Sequence, residues 1–323
     1  METYQVLGID IAKHKFDVAL LINHKFKTKI FSNNLTGFEA LLDWLKKQNV
    51  NQVHACLEAT GCYGHPLAAY LFQQDFIVSV VNPARIKAFA QSQLTRNKTD
   101  KLDAKLIAQF CQLMKPTAWQ PLPAATQTLH ALVQRRNSLL DLQQQEANRL
   151  IQADIAIKPS IEAVLTMLNE QIKLIEQTIE KHINDHPDLR QKRDLLLTIN
   201  GIGKTTAHLI LASIPDISQF KHAKQLAAYT GLNPQQHQSG SSVQGRTRLS
   251  KIGHAQLRKA LYFPAIAAAK HNPLIRAFSV KLKQAGKAPM CVIAASMRKL
   301  IHIIFGVLKS GKPFDANFLA KTA

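Results

Sequence analysis

Cysteine is scarce in this chain: four in 323 residues, Cys56, Cys62, Cys111 and Cys291, with no two in C-x-x-C spacing. That spacing suggests neither a disulfide framework nor a thiolate zinc site, and the four read as small apolar residues for a core. Nowhere do roughly 18 apolar residues run together, the length a membrane span requires. The polar start METYQVLGID has no signal-peptide profile, so the expected location is the cytoplasm. No tract is of low complexity, and 46% of residues are hydrophobic, which fits a globular chain with two or three domains and a full-sized core. GxxxxGK[ST] and GxSxG are both missing, which argues against a P-loop and a hydrolase elbow. Also missing are the glycine-rich phosphate loops that an actin-like ATPase would need.

Acid is the other shortage. Lys and Arg number 41 against 21 Asp and Glu, a formal net charge of +20, and point to a polyanionic partner rather than a small substrate. From Ser241 to the end, 83 residues hold fifteen Lys or Arg and a single acid, Asp315, for a net +14. A solvated basic face is the ordinary reading of a charge run, but a stretch this one-signed suits phosphate.

What is present begins with alternating strands and helices over residues 1 to about 115. Tyr4–Ile11, Phe16–Leu21 and Lys25–Phe31 read as strands, with Lys13–Lys15 as a tight connection. A helix over Phe38–Leu45, a strand over Val53–Glu58, a helix over Tyr63–Gln73, a strand over Phe76–Val81 and a helix from Pro83 follow. Three strands and then crossover units is the order of a ribonuclease-H-like mixed sheet with helices on its faces. Asp10 ends one apolar run and Glu58 another, an unusual place for charge. Asp100 and Asp103 lie three apart at the start of a helix that Thr99 would cap, so they share a face. In that order the four acids converge. Four close carboxylates repel unless cations lie between them, and hard oxygen ligands select Mg2+, with Mn2+ as a substitute, over zinc. Such ions serve phosphodiester cleavage.

From about Gln127 to Asp185 long helices take over. Ile161, Leu165, Leu168, Ile172, Ile175, Ile179 and His182 or Ile183 form a heptad seam, either an internal helix pair or a dimerising coiled coil. Lys158-Pro159-Ser160 marks the boundary with the preceding helix, Thr126 to Asp154. Gly201-Ile202-Gly203-Lys204 between two apolar helices matches a helix-hairpin-helix, whose backbone amides approach a DNA phosphate. The polar segment Gln235–Gly245 reads as a loop, with no strand before it. Its hydroxyls, Ser239, Ser241 and Ser242, stand beside Arg246, Arg248, Lys251, Arg258 and Lys259, where a serine suits nucleophilic attack on phosphate. The remainder, Leu257 to Leu308, reads as helices with apolar core stripes.

These residues carry a resemblance. Gly8-Ile9-Asp10-Ile11-Ala12-Lys13, Glu58-Ala59-Thr60-Gly61, Asn82-Pro83, Asn97-Lys98-Thr99-Asp100 with Asp103-Ala104, Gly201-Ile202-Gly203, and Ser239-Gly240 followed by Ser250-Lys251-Ile252-Gly253 and Leu257-Arg258 resemble the DEDD transposases of bacterial insertion sequences. That family is described as bridge-RNA-guided recombinases and is related to the Piv-type invertases. The resemblance covers nearly the whole chain. It implies a RuvC-like catalytic domain over 1–122, a helical coiled-coil segment over 123–190, and a mainly helical transposase domain over 191–323. It further implies an acidic tetrad, Asp10, Glu58, Asp100 and Asp103, holding Mg2+, and Ser239 as the nucleophile that forms a covalent phosphoserine link to DNA. Lys13, Gly201, Gly203, Lys204, Arg246, Arg248, Lys251, Arg258 and Lys259 are the candidate nucleic-acid contacts. The implied partners are DNA, a structured bridge RNA and further copies of the chain in a dimer or tetramer with a composite active site, at the bacterial nucleoid. The rivals are a metal-dependent junction-resolving nuclease that forms no covalent intermediate and a non-catalytic nucleic-acid binder.

Overall fold

The computed structural model describes residues 4–59, 61, 63–93, 100–214, 216–239 and 243–317. Thr60, Cys62, Asn97, Lys98, the expected cap Thr99, Gly240, Ser241 and Ser242 lie outside the described residues. Two compact units divide the chain, Met1–Pro121 and Leu122–Ala323.

In the first unit, strands β1 (Gln5–Ile11), β2 (Lys15–Ile22) and β3 (Lys25–Ser32) precede helix α1 (Leu35–Lys47). Then come β4 (Val53–Glu58), α2 (His65–Gln73), β5 (Ile77–Val81), α3 (Pro83–Ser92) and α4 (Asp100–Met114). The sheet order is β3-β2-β1-β4-β5, antiparallel through the first three strands and parallel among β1, β4 and β5. This is the expected ribonuclease-H-like sheet. Asn23 and His24, both at positive φ, make the two-residue turn between β2 and β3. Asn82 accepts a hydrogen bond from the Ala84 amide at 2.8 Å ahead of Pro83, which explains Asn82-Pro83 as a helix start.

Strand alternation sorts the unit into two faces. Leu7, Ile9, Phe16, Val18 and Leu20 pack with Phe38, Leu41 and Leu45 of α1 and Leu67 and Leu71 of α2. Val6, Ala19, Leu21 and Cys56 pack instead with Ala104, Ile107, Ala108 and Cys111 of α4. Gly8 belongs to this second face. A Cβ there would stand 2.2 Å from the Ala104 carbonyl oxygen and 2.3 Å from the Ala108 nitrogen, so α4 rests on β1 only because position 8 has no side chain.

The second unit opens with α5 (Ala124–Gln152) and α6 (Lys158–Asp185), then α7 (Pro187–Leu197), α8 (Lys204–Ser213) and α9 (Ala223–Tyr229). Leu168 and Ile172 meet Leu139 of α5, while Ile179 and Ile183 join Leu129 and Val133 in the main core. The heptad seam is thus buried within the chain, as a helical hairpin. Lys158-Pro159-Ser160 forms the first turn of α6. Next come β6 (Pro234–Ser239), β7 (Val243–Leu249), α10 (Ala255–Ala260), α11 (Tyr262–His271), α12 (Pro273–Gln284) and α13 (Pro289–Ser310). By length and composition α13 is apolar enough to cross a membrane. It buries Val292, Leu300, Ile301 and Ile304 in the unit's core.

Two expectations need correction. Gln235–Gly245 is not a plain loop: β6 and β7 pair antiparallel, Gln235 with Arg248 and Ser239 with Val243, so a strand does precede the serine. And the cysteines are not uniformly buried. Cys56 and Cys111 are, but Cys291 is exposed, because it falls in the first turn of α13 ahead of the helix's buried stripe.

Candidate active site

Asp10 is the next-to-last residue of β1 and Glu58 the last of β4, so the parallel pairing of these neighbours puts both at one edge of the sheet. By alternation both belong to the α4 face, with Gly8 and Cys56. Asp100 and Asp103 occupy the first turn of α4, as expected from their spacing. The Asp10 carboxyl is pushed up to about 6 from 3.8, first by burial and then by the negative charges of Asp103, Asp100, Asp17 and Glu58. Asp10 therefore lies within electrostatic reach of the other three expected acids, and of a fifth.

Asp17 is the residue that sequence reasoning missed. It lies directly opposite Asp10 across the β1–β2 ladder and is only 6% exposed. The signal was the tight connection at Lys13–Lys15, which makes 10 and 17 cross-strand partners and so places their side chains together. Lys15 was missed too. Its ammonium donates to Asp100 Oδ2 at 2.8 Å and stands 3.4 Å from Asp17 Oδ2. This pairing lowers the Asp100 carboxyl below its ordinary value and raises the Lys15 amine. Asn33 steadies the rim: its Nδ2 donates to the carbonyls of Ala12 at 3.0 Å and Tyr63 at 3.1 Å.

Among the described residues no three His, Cys, Asp or Glu side chains are close enough to grip one ion. The donor chemistry nevertheless fits a hard divalent cation. The ligands on offer are all carboxylate oxygens, and the charges of Asp103, Asp100, Asp17 and Glu58 add to burial in raising Asp10.

In the second unit, Gly201 takes a left-handed φ of 105° between α7 and α8, a conformation that L side chains rarely adopt. Gly203 is the exposed N-cap residue of α8, and the exposed Lys204 ammonium stands 3.7 Å from Glu180. Lys13, Arg248, Lys251 and Lys259 are exposed. Arg258 differs: its Nη1 donates to the carbonyls of Thr230 at 3.1 Å and Lys251 at 3.0 Å, tying the chain before β6 to the chain after β7. Arg298 adds a 2.7 Å bond to Asn233 Oδ1. Leu257-Arg258 therefore braces the base of the hairpin that carries Ser239. Arg246 lies within β7.

Comparison with known proteins bears on this arrangement. Residues 7–153 match the IS110-type DEDD family, described as a transposase, and residues 193–279 match the Transposase IS116/IS110/IS902 family. The pilin gene-inverting protein of Moraxella bovis is 35% identical over 312 residues, covering 96% of this chain and 97% of its own. The chain belongs to the IS110 family of DEDD transposases. Within the family's wider circle, the transposase of insertion sequence IS1328 from Yersinia enterocolitica is 25% identical over 81% of this chain and 83% of its own. Among solved structures, Thermus thermophilus RuvC in complex with a Holliday junction substrate covers 36% of this transposase and 99% of its own chain, at 11% identity and a TM-score of 0.28. That likeness carries no weight for the fold, which rests on the strand order above.

Proposed function

We propose that this transposase cuts and rejoins DNA with two sets of groups: Asp10, Glu58, Asp100 and Asp103 as the holders of Mg2+, or Mn2+ in its place, and Ser239 as the nucleophile. The observation that carries the acidic half is the placement of Asp10 and Glu58 at the ends of neighbouring parallel strands, on the face that α4 covers, with Asp100 and Asp103 in its first turn; burial and then these charges raise the Asp10 carboxyl to about 6. When bound, a divalent cation there supplies neutralisation of phosphate charge and a more acidic attacking hydroxyl. In the serine step, Ser239 Oγ gives up its proton and bonds to phosphorus. The bond from phosphorus to one deoxyribose oxygen breaks, and that oxygen takes up a proton. The phosphodiester is exchanged and not hydrolysed, so a free DNA hydroxyl can reverse the step at a new partner strand. Ser239, at the end of a braced hairpin beside a strongly basic stretch, supports this role. A junction-resolving nuclease using water would leave no such link.

A structured bridge RNA as guide, and assembly into a dimer or tetramer, complete the reading; both rest on the family resemblance. If the acids and the serine of one reaction come from different subunits, mixing Asp10→Asn with Ser239→Ala protein should restore part of the recombination that each lacks alone. Failure of every such mixture would count against the composite arrangement.

A second reading is inversion of a DNA segment. It is favoured by similarity to the pilin gene-inverting protein over 97% of that protein's length, against the weaker match to the IS1328 transposase. A plasmid reporter with recombination ends in opposed orientation separates the two: inversion without excised circles supports the second reading, and excised circles with new insertions support the first.

A further inference from the structure

Lys15 is the first residue of β2 and Asp17 lies two positions on, so both side chains emerge on the same face of the strand, beside Asp10. The Lys15 ammonium reaches across to Asp100 at 2.8 Å, joining the sheet to the first turn of α4. Side chains on both sides of that contact are largely open to water, 47% exposed for Lys15 and 57% for Asp100, and an ion pair of that kind exchanges readily. The other contact is of a different character. Asp17 is 8% exposed on its side chain, and a buried carboxylate is costly without a cation; Lys15 stands 3.4 Å away. A lysine is a compact charge on a flexible stem, suited to moving between two carboxylates that flank it.

The geometry points to Lys15 as a positioning residue that stands in for the divalent cation: its ammonium occupies Asp100 while that ion is absent and withdraws onto Asp17 when the ion takes Asp100. This rests on the reading that the DEDD acids hold a divalent cation. Two features argue for it. Lys15 contacts one acid of the tetrad and one acid outside it. And the acid outside is the buried one, which keeps Lys15 at hand after Asp100 is released.

The test is Mn2+ binding to the full-length protein without DNA, followed by electron paramagnetic resonance of the free ion at fixed ionic strength. If Lys15 occupies Asp100 about nine-tenths of the time, Lys15→Met should bind Mn2+ about 10-fold more tightly, because the acid no longer has to be vacated. Lys15→Gln should change affinity in the same direction, which keeps the test open should the methionine variant fold poorly. Lys15→Arg, which preserves the charge, should stay close to wild type. Lys13→Met, on the adjoining turn, removes an equal charge without touching Asp100 and should shift affinity far less. Equal tightening in Lys13→Met and Lys15→Met would reduce Lys15 to background charge and overturn the proposal. Unchanged or weakened binding in Lys15→Met would overturn it as well, while wild-type binding that Asp10→Asn abolishes would leave the acidic site standing. No saturable binding by wild type would overturn both.

Discussion

Asp10 is where the charge of the acidic site is felt most. Its carboxyl ionises near 3.8 in an unfolded chain and near 6 in the folded one. Between those values the folded state keeps a proton that the unfolded state has released, so stability falls as pH rises through this window and is level above it. Above about pH 6 an ionised, part-buried Asp10 is a standing cost in the metal-free protein. Two pKa units correspond to about 3 kcal/mol, and solvent screening of a half-exposed group reduces this to about 1 kcal/mol. In EDTA at pH 7.5, Asp10→Asn should therefore be more stable than wild type by about 1 kcal/mol in denaturant melts, an advantage gone near pH 4. Equal stability at both pH values would mean that the site carries no such strain. The placement of Asp10 and Glu58 at strand ends and of Asp100 and Asp103 at a helix start was legible in the sequence, because a carboxylate ending an apolar run, or paired at a helix start, breaks the ordinary pattern. Asp17 was not: it sits inside the run from Phe16 to Leu21 and becomes part of the site only through the cross-strand register with Asp10.

Among the elements, α4 governs whether the acids meet at all. Its first turn carries Asp100 and Asp103, and its close approach to β1 depends on Gly8, where an added Cβ would collide with helix backbone that has no room to give. Gly8→Ala should destabilise the protein by about 1–3 kcal/mol through overpacking and, by lifting α4, weaken Mn2+ binding more than the loss of stability explains. A Gly8→Ala protein with normal melting and normal Mn2+ affinity would show that α4 is not positioned by this contact. The first unit's strands were readable because apolar alternation and chain order agree with the sheet. The hairpin of β6 and β7 was not, since Pro-Gln-Gln-His-Gln-Ser has no apolar face; it is held instead at its base, where Arg258 and Arg298 bond backbone carbonyls and Asn233. The seam on α6 was readable as a heptad, but a heptad does not name its partner; the packing of Leu168 and Ile172 with Leu139, and of Ile179 and Ile183 with Leu129 and Val133, identifies it as α5.

At the scale of the whole molecule the charge distribution dominates. A chain of net charge +20, with fifteen Lys or Arg against one acid after residue 240, should bind DNA largely by releasing counterions. If 6–10 phosphates are neutralised, affinity should fall by about 10³–10⁵ between 50 and 200 mM salt, measured by fluorescence anisotropy on a duplex of arbitrary sequence. A nearly flat salt dependence would place the basic stretch away from DNA. Composition pointed to a polyanion, and ordered motifs reached as far as the family. On the proposed composite arrangement, the meeting of acids and serine is a property of several chains together, which no single sequence encodes locally.

In the proposed mechanism Ser239 attacks DNA with the help of the four acids. The most direct measurement mixes purified protein, Mg2+, RNA transcribed from the element's flank and labelled DNA carrying an element end, then looks for a protein–DNA adduct that survives denaturation. An adduct is expected in the wild type and in neither Ser239→Ala nor Asp10→Asn. Cleavage by the wild type with no adduct at any time point would contradict it, and would assign the chemistry to the carboxylates and water.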